Sequence, residues 1–117
     1  MQRKYSNSVK VFFPKFSLEE VLKEIERCVS LFSERLSLKK VILFGSYAKK
    51  RYTVGSDIDL LVVFDDSNCT KDEVYRTLRK NIKLPRLELH ILSIEEHAMV
   101  ENSKWIKTIS EEGIKIL

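Results

Sequence analysis

The sequence predicts a two-layer α+β domain, a small mixed sheet flanked by helices, from three observations. A broad apolar stripe at helical spacing opens the chain behind a capping signal. Two strand patterns of different character come next, one continuously apolar and one alternating. Further capped helical stretches separate those strands, giving the order helix, strand, helix, strand, helix, strand, helix.

Ser17 with Glu20 forms a capping box, and Phe16 with Val21 forms a hydrophobic staple around it. Leu18, Val21, Leu22, Ile25, Cys28, Val29, Phe32 and Leu36 share one face, so a helix is expected from about Ser17 to Leu36. Val41–Phe44 reads as a short strand that breaks at Gly45, followed by a basic helical turn and a loop through Gly55. Ile58–Phe64 is a near-continuous apolar run, the pattern of a central strand buried on both faces. Thr70 with Glu73 caps a helix carrying Val74, Tyr75, Leu78 and Ile82, which Pro85 stops. Leu87–Leu92 alternates as a strand, Ser93 with Glu96 caps another helical segment, and Trp105, Ile106 and Ile109 continue the helical pattern.

A length of 117 residues suits one domain, 1–117, with residues 1–16 as a basic, aromatic lead-in built around Val11, Phe12, Phe13 and Phe16. The formal net charge of +4 favours anionic partners such as nucleotides but is too small to argue for duplex binding. Cys28 falls on the first helix's apolar face and Cys69 in a polar turn, and neither has metal-knuckle spacing, so a reduced, cytoplasmic setting is expected. The longest apolar run, Leu60–Phe64, is far too short to span a membrane.

The chemistry concentrates between Gly45 and Glu88. Asp57 and Asp59 lie two apart at a strand's start, so their side chains share a face while Ile58 and Leu60 take the other. Two close carboxylates repel unless a cation lies between them, and hard oxygen ligands of this kind suit Mg²⁺. Gly45 lets the backbone approach a ligand closely, Ser46 adds a hydroxyl donor, and Lys49, Lys50 and Arg51 bring positive charge within reach of a triphosphate. Glu88, pointing with Arg86 and His90 away from the face of Leu87 and Leu89, is the candidate third acid of a two-metal site.

The segment Val41–Val63, with GSYAKKRYTVGSDIDLLVV at its heart, resembles the signature of the polymerase-β-type nucleotidyltransferases, and is most similar to the minimal, free-standing members of that superfamily. The resemblance implies the polymerase-β-type fold, with Gly45 and Ser46 as the phosphate-gripping pair and Lys49 where an Arg is common. It makes Asp57 and Asp59 the metal-binding, catalytic aspartates, and Glu88 the third carboxylate where the family usually carries Asp. Lys50 stands where the family usually has Gly. Trp105–Leu117, with Glu112-Gly113-Ile114, resembles the family's ending.

The resemblance further implies transfer of AMP from ATP, with two Mg²⁺ ions, onto an acceptor hydroxyl. Acceptor recognition is expected from another chain, by analogy a HEPN-domain toxin neutralised by modification, in a toxin–antitoxin system; a homo-oligomer is also compatible. Two alternatives stand beside this: a non-catalytic module that neutralises its partner by contact, and a catalytic subunit for a small-molecule acceptor. Blander readings apply to His90 and His97 as packing or surface groups, to Lys49–Arg51 as a solvated face, and to Trp105 as a core anchor.

Overall fold

The computed structural model describes residues 16–117; the lead-in residues Val11, Phe12 and Phe13 lie outside them. The first helix, α1 (Leu18–Phe32), starts at the expected capping box. Glu20 N–H donates to Ser17 Oγ at 3.1 Å, and Ser17 N–H donates to Glu20 Oε1 at 2.9 Å. It buries Val21, Ile25, Cys28 and Val29 and ends four residues before Leu36. Leu36 still donates to Phe32 O at 2.9 Å and is buried, so the apolar period reads on through the turn. Ser37 then takes φ +54°, and the chain swings into β1 (Leu38–Phe44).

The remaining elements are β2 (Ile58–Phe64), α2 (Lys71–Asn81), β3 (Leu87–Ser93), α3 (Ile94–Val100), α4 (Lys104–Glu112) and β4 (Ile114–Lys115). The sheet order is β3-β2-β1-β4, with β2 and β3 parallel and the other pairs antiparallel. This is the mixed sheet expected. Strand β1 begins three residues earlier than its apolar run, because Leu38 pairs with Phe64 despite Lys39 and Lys40 between it and Val41. Strand β4 is too short to carry a sequence period and forms only by pairing Lys115 and Ile114 with Ile42 and Leu43.

Alternating strand residues feed two apolar clusters. Val41, Leu43, Ile58, Leu60, Val62 and Phe64 pack with α1 and α2. Ile42, Leu61 and Val63 pack with Ile106 and Ile109 of α4. Cys69 lies in the turn where it is expected but is buried there, its thiol donating to Leu36 O at 3.0 Å. Glu24 ties α1 to the end of α2: its Oε2 accepts from Lys83 N–H at 2.7 Å and from Arg27 Nη2 at 2.7 Å. Arg27 Nη2 in turn donates to Asn81 O at 3.0 Å.

The basic helical turn expected after Gly45 forms as a single turn. Lys49 N–H reaches Gly45 O at 3.1 Å and Arg51 N–H reaches Ser46 O at 2.9 Å, but Lys50 adopts φ +59° and stops any further winding. Tyr47 and Tyr52 stack with ring centroids 4.2 Å apart and planes 6° apart. The Tyr47 hydroxyl donates to Phe16 O at 3.0 Å, and Leu18 N–H donates to the Tyr52 hydroxyl at 3.2 Å. These contacts tie the β1–β2 loop to the entry of α1.

Candidate active site

Strand register assembles the site. Phe44 pairs with Asp59, and Asp59 pairs with Glu88, so all three side chains project from one row on the α4 side of the sheet. Paired residues on adjacent strands stand about 5 Å apart, which puts Asp59 and Glu88 next to each other on that face. The next row is Ile42, Leu61 and His90. Asp57 sits exposed just before β2, one step outside the paired row, and Glu88 is also exposed.

Asp59 is the most enclosed of the three acids, with 25% of its side chain accessible. Burial pushes its carboxyl above the ordinary carboxylate range; the charges of Asp57 and Glu88 push the same way, and His90 opposes them. His90 Nε2 lies 3.7 Å from Asp59 Oδ1, an ion-pair contact when the imidazole is protonated. The His90 ring also packs against Phe44 (centroids 5.3 Å apart) and Trp105 (5.8 Å). Sequence pattern alone assigns His90 to packing or to the surface, and the structure adds its contact with the acid. Its place two residues beyond Glu88 on the same strand face is the signal that points to the site.

Gly45 lies directly over this row. Its φ is +80°, and a Cβ at that position would stand 2.5 Å from Asp59 Oδ2. Glycine is therefore required twice, for backbone conformation and for clearance of the acid. Ser46 is half-buried, and among the described residues its hydroxyl has no hydrogen-bond partner. Lys49 is drawn aside to Glu112, with Nζ to Oε1 at 3.1 Å, both groups half-exposed. Lys50 keeps the left-handed backbone that a glycine would adopt at low cost, which gives physical content to its departure from the family pattern.

Among the described residues, no three Asp, Glu, His or Cys side chains form a ready-made ion cage. The donor set nevertheless suits Mg²⁺, which takes one or two carboxylates and completes its shell with phosphate oxygens and water. The observation favouring that fit is Asp59 itself, a partly buried acid whose proton affinity is raised beside two further acids.

A chain with this mixed sheet, and with a glycine turn laid over an acidic row, falls in a known class. Residues 22–116 match the nucleotidyltransferase domain family, and the chain belongs to that family; its general activity is nucleotidyl transfer. Enzymes of this kind generally use a nucleoside triphosphate and a divalent metal. Two proteins of Methanocaldococcus jannaschii, each provisionally named a protein adenylyltransferase, are similar to it. One is 35% identical over 101 residues, spanning 86% of this chain and 98% of its own length. The other is 64% identical over 28 residues, spanning 24% of this chain and 28% of its own. A crystal structure from Sulfolobus solfataricus, provisionally described as a nucleotidyltransferase, superposes with a TM-score of 0.57 at 20% identity. That match covers 98% of this chain and 89% of the other, and so bears on the fold.

Among the described residues no helix is long and apolar enough to cross a membrane. Both cysteines are free and buried.

Proposed function

We propose that this chain transfers AMP from ATP to a hydroxyl of a partner protein in the cytoplasm. The observation that carries the reading is the Gly45 turn held against Asp59 in the Phe44–Asp59–Glu88 row. It brings the backbone of the turn and an acidic pair within a few ångströms of one another. The likeness to a relative provisionally named a protein adenylyltransferase, over nearly its whole length, supports the class of acceptor.

The turn's backbone and the free Ser46 hydroxyl bind and orient the β- and γ-phosphates, as a neutral donor does for charged oxygens. Lys49 exchanges Glu112 for phosphate when nucleotide arrives. Asp57, Asp59 and Glu88 would hold Mg²⁺, which supplies charge neutralisation and orientation for in-line displacement. Glu88, exposed at the rim, receives the proton of the acceptor hydroxyl as its oxygen bonds to the α-phosphorus and pyrophosphate departs. His90 holds the Asp59 carboxylate in place from the neighbouring row.

The partner is proposed to be a HEPN-domain toxin and the chain its antitoxin, on the family resemblance. A second reading, neutralisation by contact alone, draws on the exposed apolar residues Ile94, Met99 and Val100 of α3, a helix that buries none of its residues. One experiment separates them. The chain is co-purified with its partner, incubated with α-labelled ATP and Mg²⁺, and compared with the Asp57→Asn/Asp59→Asn variant. Label lost with binding retained supports the transferase reading. A wild-type chain that labels nothing yet neutralises its partner stoichiometrically refutes it.

A further inference from the structure

Helix α4 turns a polar and aromatic face toward the Gly45 turn. Trp105, Thr108 and Glu112 recur at helical spacing and, with Phe44, Gly45 and Lys49, line a recess of about 120 Å³. Trp105 is 45% exposed, unlike the core anchor its pattern suggested. It is held from behind by edge contacts: the Phe44 ring lies 6.2 Å away with planes at 89°, and the His90 ring 5.8 Å away at 65°. The indole is thus fixed in orientation while nearly half its surface stays open. It also meets the site at two points, through the recess that it shares with Gly45 and Lys49, and through His90, which contacts Asp59.

We propose that this recess receives the nucleobase of the nucleoside triphosphate, with the Trp105 indole as its stacking platform. The proposal rests on the reading of Gly45 and Ser46 as the phosphate grip. Gly45 and Lys49 belong both to the turn and to the recess, so the α4 face directly adjoins a triphosphate held on that turn. An aromatic base gains from a rigid, partly exposed indole because every base presents a π-face. Thr108 adds a hydroxyl that both donates and accepts at the base edge, and Glu112, released when Lys49 turns to phosphate, adds an acceptor for an exocyclic amine. A purine fits this set better than a pyrimidine, having the larger ring surface to stack.

Trp105 is the chain's single tryptophan, so its fluorescence reports the recess directly. The full chain is titrated with Mg-ATP and with Mg-tripolyphosphate, which shares the phosphates and lacks the base. Wild type should show indole quenching with ATP and none with tripolyphosphate, and calorimetry should show ATP bound about tenfold or more tightly than tripolyphosphate. Trp105→Ala should erase most of that preference while leaving tripolyphosphate affinity unchanged, which also certifies that the variant is folded; Trp105→Phe should keep part of it. A Trp105→Ala variant that retains the full preference overturns the proposal. So does one that keeps the preference but loses its partner on co-purification, which assigns the indole to protein docking. Wild type that binds neither ligand refutes the phosphate-grip reading, and the base subsite falls with it.

Discussion

Replacing Gly45 with alanine tests the contact on which the site's geometry depends. The backbone there sits at φ +80°, where an L-residue with a Cβ costs roughly 1–2 kcal/mol. The new Cβ would also stand 2.5 Å from Asp59 Oδ2 and 3.4 Å from its Cγ, so the carboxylate must swing off its rotamer, at a further cost of about 0.5–1.5 kcal/mol. Loss of glycine's freedom in the unfolded chain returns about 0.5–1 kcal/mol. The net loss expected for Gly45→Ala is therefore about 0.5–3 kcal/mol, a fall of roughly 2–12 °C in melting temperature for a domain of this size. The two contributions separate in a double-mutant cycle. In an Asp59→Ala background the clashing oxygen is gone and only the Asp59 Cβ remains, at 3.6 Å. Gly45→Ala should then cost only its backbone share, with a coupling of about 1 kcal/mol between the two sites. Urea unfolding of the four proteins measures it. Equal losses in both backgrounds, within about 0.3 kcal/mol, would show that Gly45 is not closed down on Asp59 and would refute the geometry.

Three further perturbations probe other parts of the molecule. Lys50→Gly should stabilise the protein by up to about 1 kcal/mol, since φ +59° suits glycine, whereas Lys50→Val should destabilise it; thermal melts of both variants check the sign. Asp59→Asn should raise the urea midpoint of the metal-free protein at neutral pH. A carboxyl whose folded proton affinity is raised costs stability as pH rises beyond the carboxylate range, and an amide does not; an unchanged or lowered midpoint would contradict the burial argument. Glu24 behaves in the opposite sense. Hydrogen bonds from Arg27 and from Lys83 N–H hold its carboxyl below the ordinary range, so its contribution is complete above that range and fades as pH falls through the folded value. Glu24→Gln should lower stability at pH 7 by about 1 kcal/mol and flatten the acid limb of a stability–pH curve measured by urea unfolding.

Much of this architecture is legible in the sequence because it is local. The boxes Ser17–Glu20, Thr70–Glu73 and Ser93–Glu96 each close within three residues, and all three form as expected. The Ile58–Phe64 run becomes a central strand with six of its seven residues buried, and Asp57 stands just before it, near enough for its charge to act on Asp59. The family signature between Val41 and Val63 likewise depends on short spacings around one turn.

The features that the sequence leaves open depend on pairing between distant segments. The parallel register of β2 with β3 decides that Glu88 stands beside Asp59 and that His90 occupies the next row; one residue of slip would send both to the opposite face. The last turn of the expected first helix is lost to Ser37, whose positive φ serves the entry of β1. Strand β4 exists only because β1 offers it an open edge, and Cys69 is buried because Leu36 O reaches its thiol across 33 residues of chain. Lys49 meets Glu112, and Trp105 stays half open beside Gly45, because α4 packs Ile106 and Ile109 onto Ile42, Leu61 and Val63. Helical and strand periods state which residues share a face; which faces come together is set by packing and register, and that information is stored in the sheet as a whole.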